Sequence, residues 1–538
     1  MLPFFWALAI TVILLWSLIL IPSHYANKNS KTLRYVVTYV VGLAFCLACT
    51  LLCGIIISGK KSTTISLFEF ENEIGANVEF FLEGVACLML VLVSFIGFIV
   101  CQFSIRYLDG ESMQGRYFRW IGFTIGAVSM MTMSANLLLF FVAWIATSLG
   151  LHQLLLHYRY REAAHRAAWT KFTISRIGDA FLVFAIILTF RVFGTVEFSA
   201  LFASANEIAS SSQTGLEHMA IGWFLVMGAI TKSAQFPFHT WLPDTMETPT
   251  PVSALMHAGV VNAGGYLLIR MSPLVTLSPN ALTFLTVVGT LTAVFASTVM
   301  MTQSSIKRTL AYSTIAQMGF MMLQCGLGAF SAAMLHIIAH SLYKSHAFLN
   351  SGNLLTQTTA TPPRYWRLRA SPGTKQTPLR PKSVFGFFLI ALALVVLLFL
   401  GTANILRLDH SSTAGGLILM LIFCLSFSTW GYRFVCSGNK QAILLGVVSL
   451  GALFVTYFSS YLLVNHLIDS THAIELNSRT APFLFVGIGI AFSFLLVLNV
   501  LISQSAPPRW LNRMRVHAAN GFYIETLYSR LFLNADSY

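Results

Sequence analysis

Long uninterrupted apolar stretches, separated by short polar connections, run from the first residues of the chain to about position 504. A helix that crosses about 30 Å of hydrocarbon needs about 20 such residues, and by that length the pattern predicts about fifteen spans. They fall near 2–22, 35–58, 80–104, 117–134, 136–157, 172–193, 218–236, 249–272, 280–302, 309–329, 331–355, 384–404, 414–432, 441–466 and 482–504. The stretches are continuous and do not alternate as barrel strands do, so they predict an all-α integral membrane bundle. The first has no cationic leader and no small-residue cleavage position before the next connection, and is read as a retained helix.

Composition agrees. Of 538 residues, 56% are hydrophobic and only 10% charged, against about 25% charge in soluble domains; mean hydropathy is +0.74. A soluble enzyme is excluded. The net charge of +14 would suggest nucleic acid in a soluble chain, but here its placement decides. Most of the 33 lysines and arginines, among them Lys28, Arg34, Arg116, Arg166, Lys171, Lys307, Arg364 and Arg513, fall in the odd-numbered connections and the C-terminal tail. The positive-inside rule then puts the N-terminus outside and the tail in the cytoplasm of a bacterial inner membrane. One membrane domain over 1–504 follows, with a basic cytoplasmic loop at 356–383 and an amphiphilic tail at 505–538.

The eight cysteines include one CxxC pair, Cys46 and Cys49, inside an apolar run with no second pair to complete a metal site. They read as small apolar residues. No nucleotide loop, haem-attachment motif or iron–sulfur cysteine cluster occurs in the sequence, so redox or ATP chemistry is assigned to a partner and the chain itself is not read as an enzyme.

Ionisable residues inside predicted spans are expensive in a membrane and mark function by default. These are Glu83, His152, Asp179, Lys232, His257, His336, His340 and Lys344, with Lys307 and Arg308 where the tenth span begins. In HIIAHSLYK, His336, His340 and Lys344 recur at i, i+4 and i+8 and share one helical face. Imidazole titrates near neutrality and a desolvated amine can release its proton, so three such groups in file suggest a proton wire. No carboxylate or thiolate is spaced to complete a metal site there, and His346 points elsewhere on the helix. Sodium would need several oxygens converging on one point, which this face does not offer. A second feature is the proline-broken stretch after Lys232, with Pro237, Pro243, Pro249 and Pro251. Broken helices at membrane depth line hydrated cavities. His239 and Trp241 in that stretch are expected to anchor the membrane interface.

The segment from Lys232 to Arg270, LAYSTIAQMGFM at 310–321, HIIAHSLYK, FLEG at 81–84 and RIGD at 176–179 together resemble the antiporter-like proton-translocating subunits. That superfamily includes the distal membrane subunit of respiratory complex I and the large subunits of Mrp-type antiporters. The resemblance implies two inverted five-helix repeats within a core at about 117–435. It also implies a proton path through Asp179, Lys232, His257, Lys307, His336, His340 and Lys344, with Glu83 and His152 as accessories. Three departures stand out. Ile145 occupies the place of the glutamate of complex I subunits, TQSSIKR lacks the usual acidic residue, and 384–404 carries no charge. The segment after the last core span also reads as lacking the long lateral helix of the complex I subunit.

With these departures the chain resembles the membrane subunit of the DAB inorganic-carbon pump. The resemblance implies no cofactor in this chain and a large, cytoplasmic-facing, zinc-containing partner resembling a carbonic anhydrase. Trp510, Phe522, Tyr523, Leu527 and Leu531 would dock the tail onto it. Ion flow, read as protons, would energise uptake of CO2 or bicarbonate. A pumping subunit of a complex I type oxidoreductase and an Mrp-type antiporter remain alternatives. With Ile145 unable to supply a carboxylate, Asp179 is expected to be the counter-ion of Lys232.

Overall fold

The computed structural model describes residues 2–59, 62–68, 78–211, 214–352, 440–468, 481–502, 509–524 and 526–527, with isolated positions between 393 and 422. Apart from those isolated positions, the predicted spans at 384–404 and 414–432 lie outside the described residues, as do the loop at 356–383 and Leu531.

The described chain is overwhelmingly helical. It begins with α1 (Leu2–Ser17), α2 (Ser23–Lys28) and α3 (Ser30–Ser58), followed by an antiparallel hairpin of β1 (Ser62–Phe68) and β2 (Val78–Glu83). Then come α4 (Gly84–Tyr107), α5 (Gln114–Met133), α6 (Leu137–Leu155), α7 (Glu162–Phe193), α8 (Phe198–Ser211) and α9 (Leu216–Lys232). Short α10 (Trp241–Asp244), α11 (Thr250–Ala258), α12 (Ala263–Arg270) and α13 (Ser272–Val275) lead to α14 (Pro279–Met300), α15 (Ile306–Gly326) and α16 (Phe330–Leu349). Three more are α17 (Lys440–Ile468), α18 (Ala481–Ile502) and α19 (Arg509–Ala519).

Among the described residues, 9 helical segments are long and apolar enough to cross a membrane. Four further helices, α5, α9, α15 and α16, stand where the apolar pattern predicts spans. The hairpin departs from the all-α expectation. β2 takes the first residues of the predicted third span, where Phe80 and Leu82 alternate with Glu79, Phe81 and Glu83 and pair across to β1. Glu83 is thereby moved out of the helix interior to the N-cap of α4.

Every residue of α5 is buried, because α1, α3, α4 and α6 pack around it. Large apolar side chains on α3, α7, α17 and α18 remain exposed, as the lipid-facing side of a bundle requires. Small residues let α14 and α15 approach closely. A Cβ on Gly289 would lie 2.6 Å from the Gly319 carbonyl oxygen, and one on Gly319 would lie 2.5 Å from the Ala293 nitrogen, a close approach of the small-residue kind. Gly328, at φ 76°, takes the left-handed turn that reverses the chain from α15 into α16.

Two breaks interrupt the spans beside the candidate residues. The first follows Lys232, where Ala234 is left-handed at φ 49° and helix resumes only at Trp241. The second, absent from the apolar pattern, lies one residue past the end of α11 at Gly259, with a 3-10 turn over Val260–Asn262 before α12. His257 sits on the last turn before it.

Candidate functional site

Two buried clusters carry the candidate residues. The first lies between α6, α7 and α9. Asn136 caps α6 by accepting the Leu139 amide (2.7 Å), and Trp144, Ser148 and His152 then fall at i, i+4 and i+8 on one face. Lys232, at the end of α9, donates from Nζ to the Trp144 carbonyl (3.2 Å) and to Ser148 Oγ (2.6 Å). Its ammonium also stands 4.2 Å from the centre of the Trp144 ring. Asp179 accepts from Trp144 Nε1 (2.9 Å) and pairs with Arg176 Nη2 (2.6 Å) one turn back on α7.

The expected direct pairing of Asp179 with Lys232 is therefore corrected. Trp144 stands between them, its carbonyl on the lysine and its indole N–H on the carboxylate, and Asp179's ion pair is with Arg176. Asp179 still lies within electrostatic reach of Lys232.

Lys171 belongs to this cluster and was missed. The apolar pattern places it in the basic connection before the sixth span, whereas α7 begins at Glu162 and buries it to 2% exposure. Its Nζ donates to the Ser148 carbonyl (3.0 Å). The signal that could have found it is the helical register with Ser175 and Asp179, at i+4 and i+8.

His152 is buried, with Nδ1 3.2 Å from the Ala168 carbonyl and its ring between Trp169 and Phe172. That is the environment of a satisfied core histidine. Glu83 lies in a different place: it pairs with Arg270 Nη1 (3.3 Å), and Arg270 donates further to the Thr132 and Ser134 carbonyls and the Tyr266 hydroxyl. This network ties β2, α5 and α12 together at the predicted outer end.

The second cluster lies between α11, α15 and α16. Lys344 is fully buried and donates to the Leu310 carbonyl (3.1 Å) and Ser313 Oγ (2.7 Å). Lys307, half-buried in the first turn of α15, stands one turn before the Leu310 acceptor. His336 and His340 have ring centres 6.1 Å apart. His257 stacks on Phe348 at 4.4 Å and, like Lys344, is within electrostatic reach of His340. Neither ring nitrogen of His257 or of His340 has a protein hydrogen-bond partner. His346 is exposed, as the helical period implies.

The broken helix links the clusters. Ser233, next to Lys232, donates to the Val261 carbonyl (2.7 Å), and Asn262 donates to Ser341 Oγ (2.8 Å) on α16, beside His340. Neither link was legible in the apolar pattern. His239 and Trp241 are buried, at 1% and 3% exposure, so their expected role as interface anchors is corrected. His239 packs between Phe236 and Phe295.

The tail returns to its own membrane domain. α19 buries Leu511 and Ala518 against α14, Gln303 donates to the Ala519 carbonyl (3.3 Å), and Phe522 meets Phe295 at 5.9 Å. Trp510, Tyr523 and Leu527 remain exposed.

A broken-helix bundle with three buried amines and a line of histidines is the architecture of an ion-translocating membrane subunit. The chain belongs to the family described as "NADH:quinone oxidoreductase/Mrp antiporter, TM", whose model matches residues 134–431. A second family model, "NADH-Ubiquinone oxidoreductase (complex I), chain 5 N-terminus", matches 70–118.

Among particular proteins, the chain is similar to one from Halothiobacillus neapolitanus named "Probable inorganic carbon transporter subunit DabB2". The two are 36% identical over 84% of this chain and 79% of that protein. It is also similar to "Probable inorganic carbon transporter subunit DabB" of Hydrogenovibrio crunogenus, at 44% identity over 49% of this chain and 51% of the relative. In fold it matches a chain of the Mrp complex from a Dietzia species, with TM-score 0.57, 23% identity, and coverage of 99% of this chain and 57% of that one. A chain of respiratory complex I from Thermus thermophilus matches with TM-score 0.55 at 19% identity over 96% of this chain and 99% of its own.

Proposed function

We propose that this chain conducts protons across the membrane and that the flow energises inorganic-carbon uptake by a partner subunit. The observation that carries the proton assignment is the donor set of the α11–α16 cluster. Two buried imidazoles with unpartnered nitrogens face a buried amine, groups that exchange protons readily and hold hard cations poorly. Buried polar groups without protein partners recruit bridging water, so water between His257, His340 and Lys344 would complete a wire. The Ser233–Val261 and Asn262–Ser341 contacts carry the path toward Lys232.

The carbon assignment is supported by the names of the relatives, two inorganic-carbon transporter subunits. By the same reading the N-terminus faces outward, the tail is cytoplasmic, about fifteen spans form two inverted repeats, and the partner is a large zinc-containing carbonic-anhydrase-like protein. The exposed Trp510, Tyr523 and Leu527 would meet that partner, while Leu511 and Phe522 hold the tail to its own domain. Catalysis on CO2 belongs to the partner.

The test is uptake of labelled inorganic carbon in cells carrying the chain and its neighbouring gene products, with a protonophore in one arm and sodium withdrawn in another. Loss of uptake with the protonophore and indifference to sodium is the expected result. The reverse pattern overturns the proton assignment. Truncation at Ser505 is expected to release the partner on purification, and an intact complex would remove the docking role of the tail.

A further inference from the structure

Lys171 and Lys232 approach one residue from two helices. Lys171 on α7 donates to the Ser148 carbonyl at 3.0 Å, and Lys232 on α9 donates to the Ser148 hydroxyl at 2.6 Å. Both are buried, at 2% and 4% exposure. Two ammonium groups so placed need counter-charge, since burial alone disfavours each of them. The only carboxylate within electrostatic reach of either amine, among the described residues, is Asp179. Asp179 is already paired with Arg176 and bonded to the Trp144 indole. Its single negative charge is therefore met by Arg176 before either lysine is counted.

The other titratable groups around Lys171 do not alter that count. His152 on α6 lies within reach of Lys171 and Arg176 and bonds the Ala168 carbonyl. Near the predicted cytoplasmic end, Glu247 pairs with Arg161, and Asp244 of α10 is exposed.

The geometry points to a shared proton: Lys171 and Lys232 hold one excess proton between them across Ser148, so that Lys171 is a positioning residue for the charge of Lys232. The inference rests on the reading of Lys232 as part of the proton path. When Lys171 is the ammonium, Lys232 is the neutral amine and accepts the next proton. When Lys232 is the ammonium, Lys171 is neutral and still bonds the Ser148 carbonyl through an N–H. Proton number is conserved, and the exchange needs a water that bridges Lys171 to the Ser148 hydroxyl, which passes its own proton toward one amine as it takes one from the other.

The experiment is proton flux as a function of pH in inverted membrane vesicles containing the full chain with its bound subunits, read as dye quenching under an imposed potential. Lys171→Met removes a like charge, so Lys232 keeps its proton to higher pH and the alkaline limb of the flux profile moves up by about one pH unit. Lys171→Arg fixes a permanent cation beside Lys232, and the same limb moves down. Lys171→Gln, which keeps an N–H for the Ser148 carbonyl without the charge, reproduces the upward move if Lys171→Met fails to accumulate. Wild-type profiles in all accumulating variants overturn the shared proton, as does complete loss of flux in Lys171→Gln at normal protein level. Lys232→Ala separates the two readings. Unchanged flux in that variant sinks the proton path itself, whereas loss of flux in Lys232→Ala beside unshifted Lys171 variants sinks the shared proton alone.

Discussion

The two buried clusters answer the same problem, ionisable groups inside a membrane, in opposite ways. Around Ser148 the amines are hydrogen-bonded, and the one nearby carboxylate is tied to Arg176 and Trp144. Around His340 the amine is bonded to α15, but the imidazoles of His257 and His340 have no protein partner. A hydrogen-bonded cluster keeps charge among its own groups, because each partner lost costs about 1–3 kcal/mol. An unpartnered one leaves donors and acceptors open to water. The contrast assigns holding of charge to the α6–α7–α9 cluster and passage of charge to the α11–α15–α16 cluster.

The largest effects are expected where an amine is removed. Lys232→Ala and Lys344→Ala, each present in the membrane at wild-type level, should lower proton flux by about 100-fold or more, the scale of a lost proton-transfer group. A smaller loss, about tenfold, is expected for His340→Ala and His257→Ala, since water can occupy part of the imidazole's place. Loss in the histidine variants equal to that in the lysine variants would erase the distinction between hydrogen-bonded amines and unpartnered imidazoles.

Asp179→Asn is expected to reduce flux only several-fold. Its amide oxygen can still accept from Trp144 Nε1, and the ion pair it gives up is with Arg176, not with Lys232. Abolition of flux by that conservative change, matching Lys232→Ala, would restore the direct counter-ion pairing that the position of Trp144 argues against. The smallest effect belongs to His152→Phe. Its bond to the Ala168 carbonyl is worth about 1 kcal/mol, and the aromatic surroundings of Trp169 and Phe172 accept a phenyl ring. Flux should stay near wild type, with a modest fall in thermal stability measured on the purified chain.

Apolar runs located the spans, and the i, i+4, i+8 spacing located His336, His340 and Lys344, because both follow directly from helix geometry. Lys171 escaped for a physical reason. A lysine lowers the hydropathy of its window whether it ends in water or against a carbonyl, so the sixth span was drawn from 172 while α7 starts at Glu162. Trp144 escaped because an apolar run does not show that an indole N–H and its own carbonyl face different partners. The break at Gly259 escaped because apolar residues flank it on both sides and hydropathy carries no information on backbone dihedrals. The hairpin was passed over since Phe80–Glu83 merges with the apolar start of α4. Its alternation is visible only once β1 is there to pair with it.

The measurement that bears most directly on passage of charge through the α11–α15–α16 cluster compares Lys344→Ala with His340→Ala for proton flux under an imposed potential. Inverted vesicles with matched amounts of the full chain would serve. The account predicts flux near background for Lys344→Ala and a reduced but measurable flux for His340→Ala, with neither value changed when sodium is withdrawn. Wild-type flux in both variants, or flux that requires sodium, would contradict it.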